Sequence, residues 1–264
     1  MILSRRAALD GAQLDAVDKR ILIQGIETQA GKDTIGTANP GGTDGLRVTA
    51  RKRDSLDILI RFSINEKSYR PAEREAVFQK AMSWAAKGGW LTVNYKSGQK
   101  IRVVPAQYPG EGDILNRENS YNITFRAHGV PFWQEASPTP VVRTGVSGWT
   151  GTISVNGNQK TFLEFSFLNT SGSTISTLTI SCAGTQYQFA GLGLAAGETL
   201  ICDHLDDGTK CLQRIRILSG STYRSAMAKR SGSDELLALP GNNTVSYTAG
   251  GAGTMTLTAA GRYA

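Results

Sequence analysis

The feature that most constrains the fold of this chain is a period of two in its apolar residues. Leu56, Ile58, Ile60, Phe62 and Ile64 occupy alternate positions of one uninterrupted stretch. Because successive side chains of a β-strand point to opposite faces, this alternation predicts a strand with one buried face. The 30 glycines among 264 residues, many of them between short alternating segments, favour strands and tight turns over a helical bundle. The sequence therefore predicts a mainly β protein.

One helix stands out in the first half of the chain. Pro71 suits a first helical position, Glu73 lies where the helix dipole favours an acid, and Gly88-Gly89 supplies a left-handed stop. Apolar residues between them recur every three or four positions and predict one buried helix face. We expect a β-hairpin next, with strands over residues 90–95 and 100–104, and then an alternating strand over residues 121–127.

Two segments interrupt this pattern. Residues 29–45 are rich in glycine and predict a long, mobile loop with a functional role. Pro131, Pro138 and Pro140 crowd the second segment, which predicts two domains, 1–136 and 137–264. Beyond it, short β-prone segments separated by turn residues predict a β-sandwich, and Asn156-Gly157 predicts a two-residue hairpin between two of its strands.

The charge of the chain favours no nucleic-acid or membrane function. The formal net charge of +7 is spread along the sequence, and its densest patch is Arg47 with Arg51-Lys52-Arg53. These cations alternate with apolar residues, so they are interpreted as the solvated face of a strand rather than as a nucleic-acid patch. No stretch approaches 18 consecutive apolar residues and no apolar stretch follows Arg5 and Arg6, so we expect neither a membrane span nor a signal peptide.

Cysteine usage indicates structural thiols. Cys182, Cys202 and Cys211 form no Cys-x-x-Cys pair, and an odd number cannot be fully paired within the chain. Each lies among strand-forming residues, where a free cysteine behaves as a small core residue. We therefore expect synthesis in a reducing compartment.

Motifs that resemble catalytic or binding sites have simpler structural explanations. Residues 191–196 match Gly-x-Gly-x-x-Ala, but no strand–helix alternation surrounds them, so we predict a turn rather than a dinucleotide site. Residues 203–208 contain Asp, His and Gly and are interpreted as a turn rather than a cation loop. Glu164 lies on an alternating strand and is interpreted as a surface residue, and His128 and His204 each lack a partner in sequence. We predict no catalytic residue, no cofactor and no metal ion.

The aromatic residues leave a carbohydrate-binding function open. Trp84 is predicted to lie in the helix core and Trp133 to anchor the end of the first domain. An adhesin that recognises a host cell-surface glycan would instead need exposed aromatic residues on one face of the sandwich, for which Trp149, Tyr187 and Phe189 are candidates. A hydrolytic enzyme, which needs two close carboxylates, is a further alternative.

The order of these features resembles the distal tail protein family of long-tailed bacteriophages and prophages (siphoviruses). The resemblance covers nearly the whole chain but depends on short signatures. They are Leu9-Asp10-Gly11, the strand over residues 53–62, the single helix, the hairpin beginning Trp90-Leu91-Thr92-Val93, residues 121–127 leading into Pro131-Phe132-Trp133, Gly197-Glu198-Thr199-Leu200, and Leu239-Pro240-Gly241-Asn242-Asn243.

This resemblance implies a structural virion protein rather than an enzyme. The alternative among tail proteins is a different tail ring such as a tube protein, which would be a smaller single domain. Proteins of the family form a ring of six subunits around a channel for DNA, between the tail tube and the baseplate or fibre proteins. Domain 1–136 would be a split-barrel-like ring domain, and domain 137–264 a β-sandwich like those of galectins or carbohydrate-binding modules. The location implied is the virion tail, after assembly in the cytoplasm of the host bacterium.

The resemblance also gives an expectation for the ring contact. A ring needs two complementary surfaces on each subunit, and strand edges can supply one by pairing across subunits. The predicted hairpin is our candidate for this contact, with its interface residues being Trp90, Val93, Tyr95, Ile101 and Val103.

Overall fold

A computed structural model of the chain describes residues 5–29, 33–38, 47–53, 55–65, 71–109, 120–206 and 211–264. Contacts within the chain divide it into two compact units, Met1–Phe132 (unit 1) and Trp133–Ala264 (unit 2). The boundary predicted from the sequence lies four residues later. Trp133 belongs to unit 2 because it pairs with Tyr263 near the C-terminus.

The described part of unit 1 contains a curved antiparallel sheet, a separate two-stranded ribbon and a long helix. Its strands are β1 (Ala7–Leu9), β2 (Ala12–Gln13), β3 (Ile21–Gln29), β4 (Asp33–Ala38), β5 (Arg47–Arg53), β6 (Asp57–Ile64), β7 (Gly89–Val93), β8 (Gln99–Gln107) and β9 (Tyr121–Ala127), and its helices are α1 (Leu14–Val17) and α2 (Pro71–Ala86). The strand order of the sheet is β2-β1-β7-β8-β9-β6-β3. The predicted helix, hairpin and alternating strands are confirmed.

The sheet of unit 1 curls so that strands from its two ends approach each other. The Arg5 guanidinium, just before β1, donates to the Gln24 carbonyl oxygen in β3 at 2.8 Å. The Tyr95 hydroxyl, after β7, lies 3.4 Å from the Thr28 hydroxyl in β3. Side chains therefore bridge a gap that no described strand pairing closes, which is the split-barrel-like form that the resemblance implied.

The core of unit 1 lies between this sheet and α2. Ile58, Ile60 and Phe62 of β6 are fully buried, as the period of two predicts. The Trp84 ring of α2 packs edge-on against Phe125 with ring centroids 6.0 Å apart, and its indole N–H donates to the Ala12 carbonyl oxygen at 2.7 Å. Burial of each such side chain stabilises the fold by about 1.5–3 kcal/mol.

The segment predicted as a long loop contains a strand. Residues Asp33–Ala38 form β4, which pairs antiparallel with β5 in a two-stranded ribbon. The ribbon follows the β3–β6 pair, whose last partners are Gln29 and Asp57. Glycine content alone suggested a loop because the partners of β4 lie further along the chain, from nine positions away (Ala38 with Arg47) to twenty (Asp33 with Arg53). Gln29 is the last residue of β3, and residues 30–32 and 39–45 fall outside the described residues.

Unit 2 is a folded antiparallel sheet. Its strands are β10 (Trp133–Glu135), β11 (Val141–Val155), β12 (Thr161–Phe162), β13 (Glu164–Asn169), β14 (Leu178–Cys182), β15 (Thr185–Phe189), β16 (Thr199–Asp206), β17 (Cys211–Ser219), β18 (Thr222–Ser225), β19 (Arg230–Gly232), β20 (Leu237–Ala238), β21 (Gly241–Thr258) and β22 (Arg262–Tyr263), with one 3₁₀ turn at Met227–Lys229. The order in the main sheet is β18-β17-β16-β13-β21-β14-β15-β19, and β11 pairs with β21.

The long strand β21 turns this sheet into a two-layered sandwich. Its first half pairs with β14 and its second half with β13, so the strand passes from one layer to the other. The two layers face each other across a core in which the rings of Phe165 and Phe189 lie 6.2 Å apart. A Cβ at Gly253 would overlap the Phe167 ring, so glycine is required where β21 changes layers. The predicted sandwich is confirmed.

The predicted hairpin at Asn156-Gly157 is wrong. Val155, which precedes this dipeptide, pairs with Gly241, and Thr161, which follows it, pairs with Ala238. The strands on its two sides are not paired with each other because β21 runs between β11 and β13. A local turn signal carries no information about β21, which begins more than 80 residues later and lies between β11 and β13.

Candidate assembly and recognition surfaces

The five hairpin residues predicted to form a ring contact fall into two groups. Val93, Ile101 and Val103 are buried in the core of unit 1. A charge at these positions would therefore act on the folding of unit 1, and these side chains are not exposed for contact with another molecule. Trp90 is half-buried and Tyr95 is 51% exposed, so these two side chains are the ones available to a partner.

The backbone edges of β7 are also occupied within unit 1. Its residues pair with β1 on one side and with β8 on the other. Strand pairing between subunits through β7 is therefore not available. No local sequence pattern indicates this pairing, because the partners in β1 and β7 are more than 80 residues apart in the chain.

Trp90 is the centre of a small cationic patch. The Lys100 ammonium lies 4.6 Å from the centroid of the indole ring, and the Arg102 guanidinium lies 5.8 Å from it. Trp90 and Arg102 are also cross-strand partners. We call these three residues the Trp90 patch. Tryptophan and arginine are enriched in protein interfaces, where a rigid ring and a planar cation provide contact area.

In unit 2 a polar cluster replaces the predicted 203–208 turn. Asp203 and His204 lie in strand β16 rather than in a turn. The Asp203 carboxylate accepts hydrogen bonds from Arg214 at 3.0 and 2.8 Å and from Arg216 at 2.9 Å. Glu164 accepts the backbone N–H of His204 at 3.1 Å. Two guanidinium groups already neutralise Asp203, which leaves no acidic cluster for a cation, and residues 207–208 lie outside the described residues.

The Gly-x-Gly-x-x-Ala segment is a turn closed by its own carboxylate. Gly191 and Gly193 have positive φ angles of 61° and 59°, and residues 191–196 contain no helix. The Ala195 N–H donates to Glu198 at 2.8 Å, and Arg224 donates to both oxygens of that carboxylate at 2.7 Å. A carboxylate therefore occupies the donor that a dinucleotide phosphate would need.

The exposed aromatic residue of the sandwich is not one of those predicted. Tyr187 and Phe189 are buried and cannot form a glycan platform, and Trp149 is half-buried beside Arg143, whose guanidinium lies 4.8 Å from its ring centroid. Tyr223 in β18 is instead 54% exposed. The Arg216 guanidinium lies 4.1 Å from the Tyr223 ring centroid. Sequence reasoning missed Tyr223 because four exposed residues of an edge strand carry no apolar alternation.

The two cysteines whose side chains the structure describes are buried and free, as predicted. Burial raises the pKa of Cys182 to about 11 and that of Cys202 to about 12. Within the described residues, no group of three or more His, Cys, Asp or Glu side chains is arranged to hold a metal ion, and no helix has the length and apolar character to cross a membrane.

Comparison with known proteins identifies the fold. No family model matches the sequence, and no curated protein matches it. The Dit protein of phage SPP1, described as a paradigm of the hub adsorption apparatus in phages that infect Gram-positive bacteria, is similar with a TM-score of 0.68 and 12% identity. The match covers 98% of this chain and 99% of that protein.

Two structures of the activated phage p2 baseplate, with Sr and with Ca, also match. They have TM-scores of 0.48 and 0.44 and identities of 12% and 10%, over 96% of this chain and 97% of theirs. The match to the SPP1 protein includes both units of this chain. The family resemblance is thus confirmed at the level of fold: this chain has the two-unit, mainly β fold of a phage distal tail hub protein.

Proposed function

We propose that this protein is the distal tail hub of a bacteriophage or prophage, a structural virion protein without enzymatic activity. The single observation that supports this proposal most is the match of the whole chain to the SPP1 hub protein. In the proposed assembly, six copies form a ring that joins the tail tube to the baseplate or host-recognition proteins. The ring leaves a channel for DNA. The protein would be assembled in the host cytoplasm and reside in the virion tail.

The Trp90 patch is our candidate for one side of the ring contact. A closed ring uses two different surfaces of each subunit, so the patch must meet a different surface of the next copy. An indole flanked by Lys100 and Arg102 fits a partner surface with an apolar pocket bordered by acidic groups. Tyr95 also reaches the surface from the turn after β7, and we include it in the proposed contact.

Light scattering across a concentration series tests the ring. Six copies of 28.3 kDa give a mass of about 170 kDa. We expect a species near this mass that grows with concentration, and we expect Trp90→Ala to shift the series toward the 28.3 kDa monomer. Tyr223→Ala is the control, because Tyr223 is as exposed as Tyr95 but lies in unit 2.

Two results would contradict the proposal. A wild-type protein that stays monomeric at every concentration, with and without purified tail tube protein, would argue against a hub. A ring that forms equally well with Trp90→Ala would refute the assignment of the Trp90 patch but not the hub. Val93→Asp is unsuitable for this test because Val93 is buried, and we expect the charge to unfold unit 1.

A further inference from the structure

We infer that Asn156 is a site of spontaneous deamidation, and that this modification opens the pairing of strands β10 and β22. Asn156-Gly157 is the only Asn-Gly pair in the chain. Asparagine is a chemically labile residue, and a following glycine has no side chain to hinder attack by its backbone nitrogen. The inference does not depend on the proposed hub function, since every residue that it uses lies in unit 2.

The reaction consumes only water. The Gly157 backbone nitrogen loses its proton and forms a bond to the side-chain carbonyl carbon of Asn156, and the side-chain nitrogen leaves as ammonia. Water then opens the resulting five-membered imide ring at one of its two carbonyl carbons. The products are aspartate and isoaspartate, in which the main chain passes through the side-chain carbon atom. No group is oxidised or reduced.

The structure leaves the reacting groups accessible. Asn156 is exposed and lies in the turn between β11 and β12. The two residues after Gly157 donate backbone hydrogen bonds to the Arg262 carbonyl oxygen at 2.8 and 3.2 Å. The Gly157 N–H itself donates no hydrogen bond within the described residues. This N–H can therefore lose its proton to solvent without breaking a contact of the fold.

Contacts in the folded protein also require the glycine. A Cβ at Gly157 would lie 2.2 Å from the Arg262 carbonyl oxygen. The φ angle of Gly157 is +98°, which other residues rarely adopt. The packing of this turn against β22 therefore keeps the least hindered neighbour that an asparagine can have.

The Asn156 side chain is part of a polar clasp, which we define as Glu135, Asn156 and Gly261. The Asn156 amide donates to Glu135 Oε1 at 3.0 Å, and the Gly261 backbone N–H donates to Glu135 Oε2 at 3.3 Å. The Glu135 backbone N–H donates to the Gly261 carbonyl oxygen at 2.8 Å. Glu135 ends β10 and Gly261 precedes β22, and these two strands pair with each other. The polar clasp therefore connects the β11–β12 turn to the β10–β22 pair.

Deamidation replaces an attractive contact of the polar clasp with a repulsive one. The amide donor that lay 3.0 Å from Glu135 Oε1 becomes a carboxylate oxygen, and two carboxylates so close together repel each other. Isoaspartate also lengthens the main chain by one carbon atom, although Gly157 already packs against the Arg262 backbone. We expect the Glu135 carboxylate to move away and to release the Gly261 N–H, so that β22 separates from β10.

Peptide mass mapping of the full-length protein tests the modification. After prolonged incubation at pH 8 we expect position 156 to gain about 1 Da in the folded protein, because an amide NH₂ is replaced by OH. Asn158 is the internal control, because it lies two residues away and is followed by Gln159, and we expect no gain there. Conversion of the urea-unfolded chain but not of the folded protein, or conversion of neither, would overturn the inference.

Hydrogen exchange tests the opening of the polar clasp. We expect Asn156→Asp to raise the exchange rates of the β10 and β22 amides by about tenfold, and we expect the added change Glu135→Gln to restore the wild-type rates. Asn158→Asp is the matched control. It adds the same charge but keeps an oxygen that can accept the Ala264 N–H, which Asn158 accepts at 2.9 Å, so we expect wild-type exchange.

The outcomes of this second test are also decisive. Wild-type exchange in Asn156→Asp, or faster exchange that Glu135→Gln does not reduce, would overturn the opening by repulsion. If Asn156→Asp does not fold, the aged wild-type protein supplies the same measurement, because ion exchange separates the deamidated fraction by its additional negative charge. Equal exchange in the deamidated and intact fractions would again overturn the inference.

Discussion

The hydroxyl group of Tyr187 is expected to contribute strongly to the stability of unit 2. Tyr187 is fully buried, and its hydroxyl accepts the Leu236 backbone N–H at 2.9 Å and a hydrogen bond from the Gln213 side-chain amide. It also donates to the Asp234 carbonyl oxygen at 3.1 Å. One oxygen atom therefore connects β15, β17 and the segment before β20.

The hydrogen bonds of Tyr187 indicate how much Tyr187→Phe should lower the free energy of unfolding of unit 2. The substitution removes one oxygen and leaves the Leu236 N–H and a Gln213 N–H without this acceptor. The Asp234 carbonyl oxygen still accepts a hydrogen bond from Arg230 at 2.8 Å, so the loss of the tyrosine donor adds little to the free-energy cost. A buried donor without a partner costs about 1–3 kcal/mol, and two donors, one of them on a half-buried side chain, give an expected loss of about 2–4 kcal/mol.

A second tyrosine of unit 2 provides a matched control. Tyr247 is also buried, but its hydroxyl has no hydrogen-bond partner within the described part of the chain. Tyr247→Phe is therefore expected to change the free energy of unfolding by less than about 0.5 kcal/mol or to increase it, because it removes an unpaired polar atom from the core.

Hydrogen exchange, detected by mass spectrometry at increasing urea concentrations, measures the free energy of unfolding of both variants. The method follows the peptides of unit 2 separately from those of unit 1. Equal free energies of unfolding for Tyr187→Phe and Tyr247→Phe would refute the reasoning. Exchange in unit 1 peptides should be the same in the wild type and in both variants.

Two further predictions concern titratable groups. The hydrogen bond from Arg20, with a further one from Lys80, lowers the pKa of Asp18 well below its usual value. The ionised Asp18 carboxylate therefore contributes stability that is complete above a pH of about 4 and is lost as the pH falls below that value. We expect Asp18→Asn to lower the melting temperature of unit 1 at pH 7 and to lower it less at pH 3; an equal difference at both pH values would contradict this. Because burial raises the pKa values of Cys182 and Cys202 to about 11 and 12, we expect neither thiol to react with a disulfide reagent at pH 8 until urea unfolds unit 2, and mass mapping of labelled peptides measures this.

Local patterns in the sequence were sufficient for several elements of the fold. The alternation of residues 56–64 is strand β6, and the segment begun by Pro71 and closed by Gly88-Gly89 is helix α2. These signals are reliable because a strand or helix with one buried face must repeat its apolar residues with its own period. The same reasoning correctly placed Trp84 in the core.

Identification of the candidate surfaces required the tertiary structure. Val93, Ile101 and Val103 have the pattern of a buried face, and the sequence cannot distinguish burial within a subunit from burial between subunits. The structure shows burial within unit 1 and leaves Trp90 and Tyr95 at the surface. Likewise, the contact of Arg216 with Tyr223 and Asp203 depends on neighbouring strands whose register no local pattern specifies.

By itself, the sequence determined the β-rich class, the helix, the hairpin and the order of features that resembles a distal tail protein. Only the tertiary structure decided that Gly241–Thr258 form one long strand, β21, which passes between two layers. The physical reason is that strand pairing joins residues far apart in the chain. Gly253 resembles a turn residue in the sequence, but the Phe167 ring packed against it, more than 80 residues earlier, is what requires a glycine there.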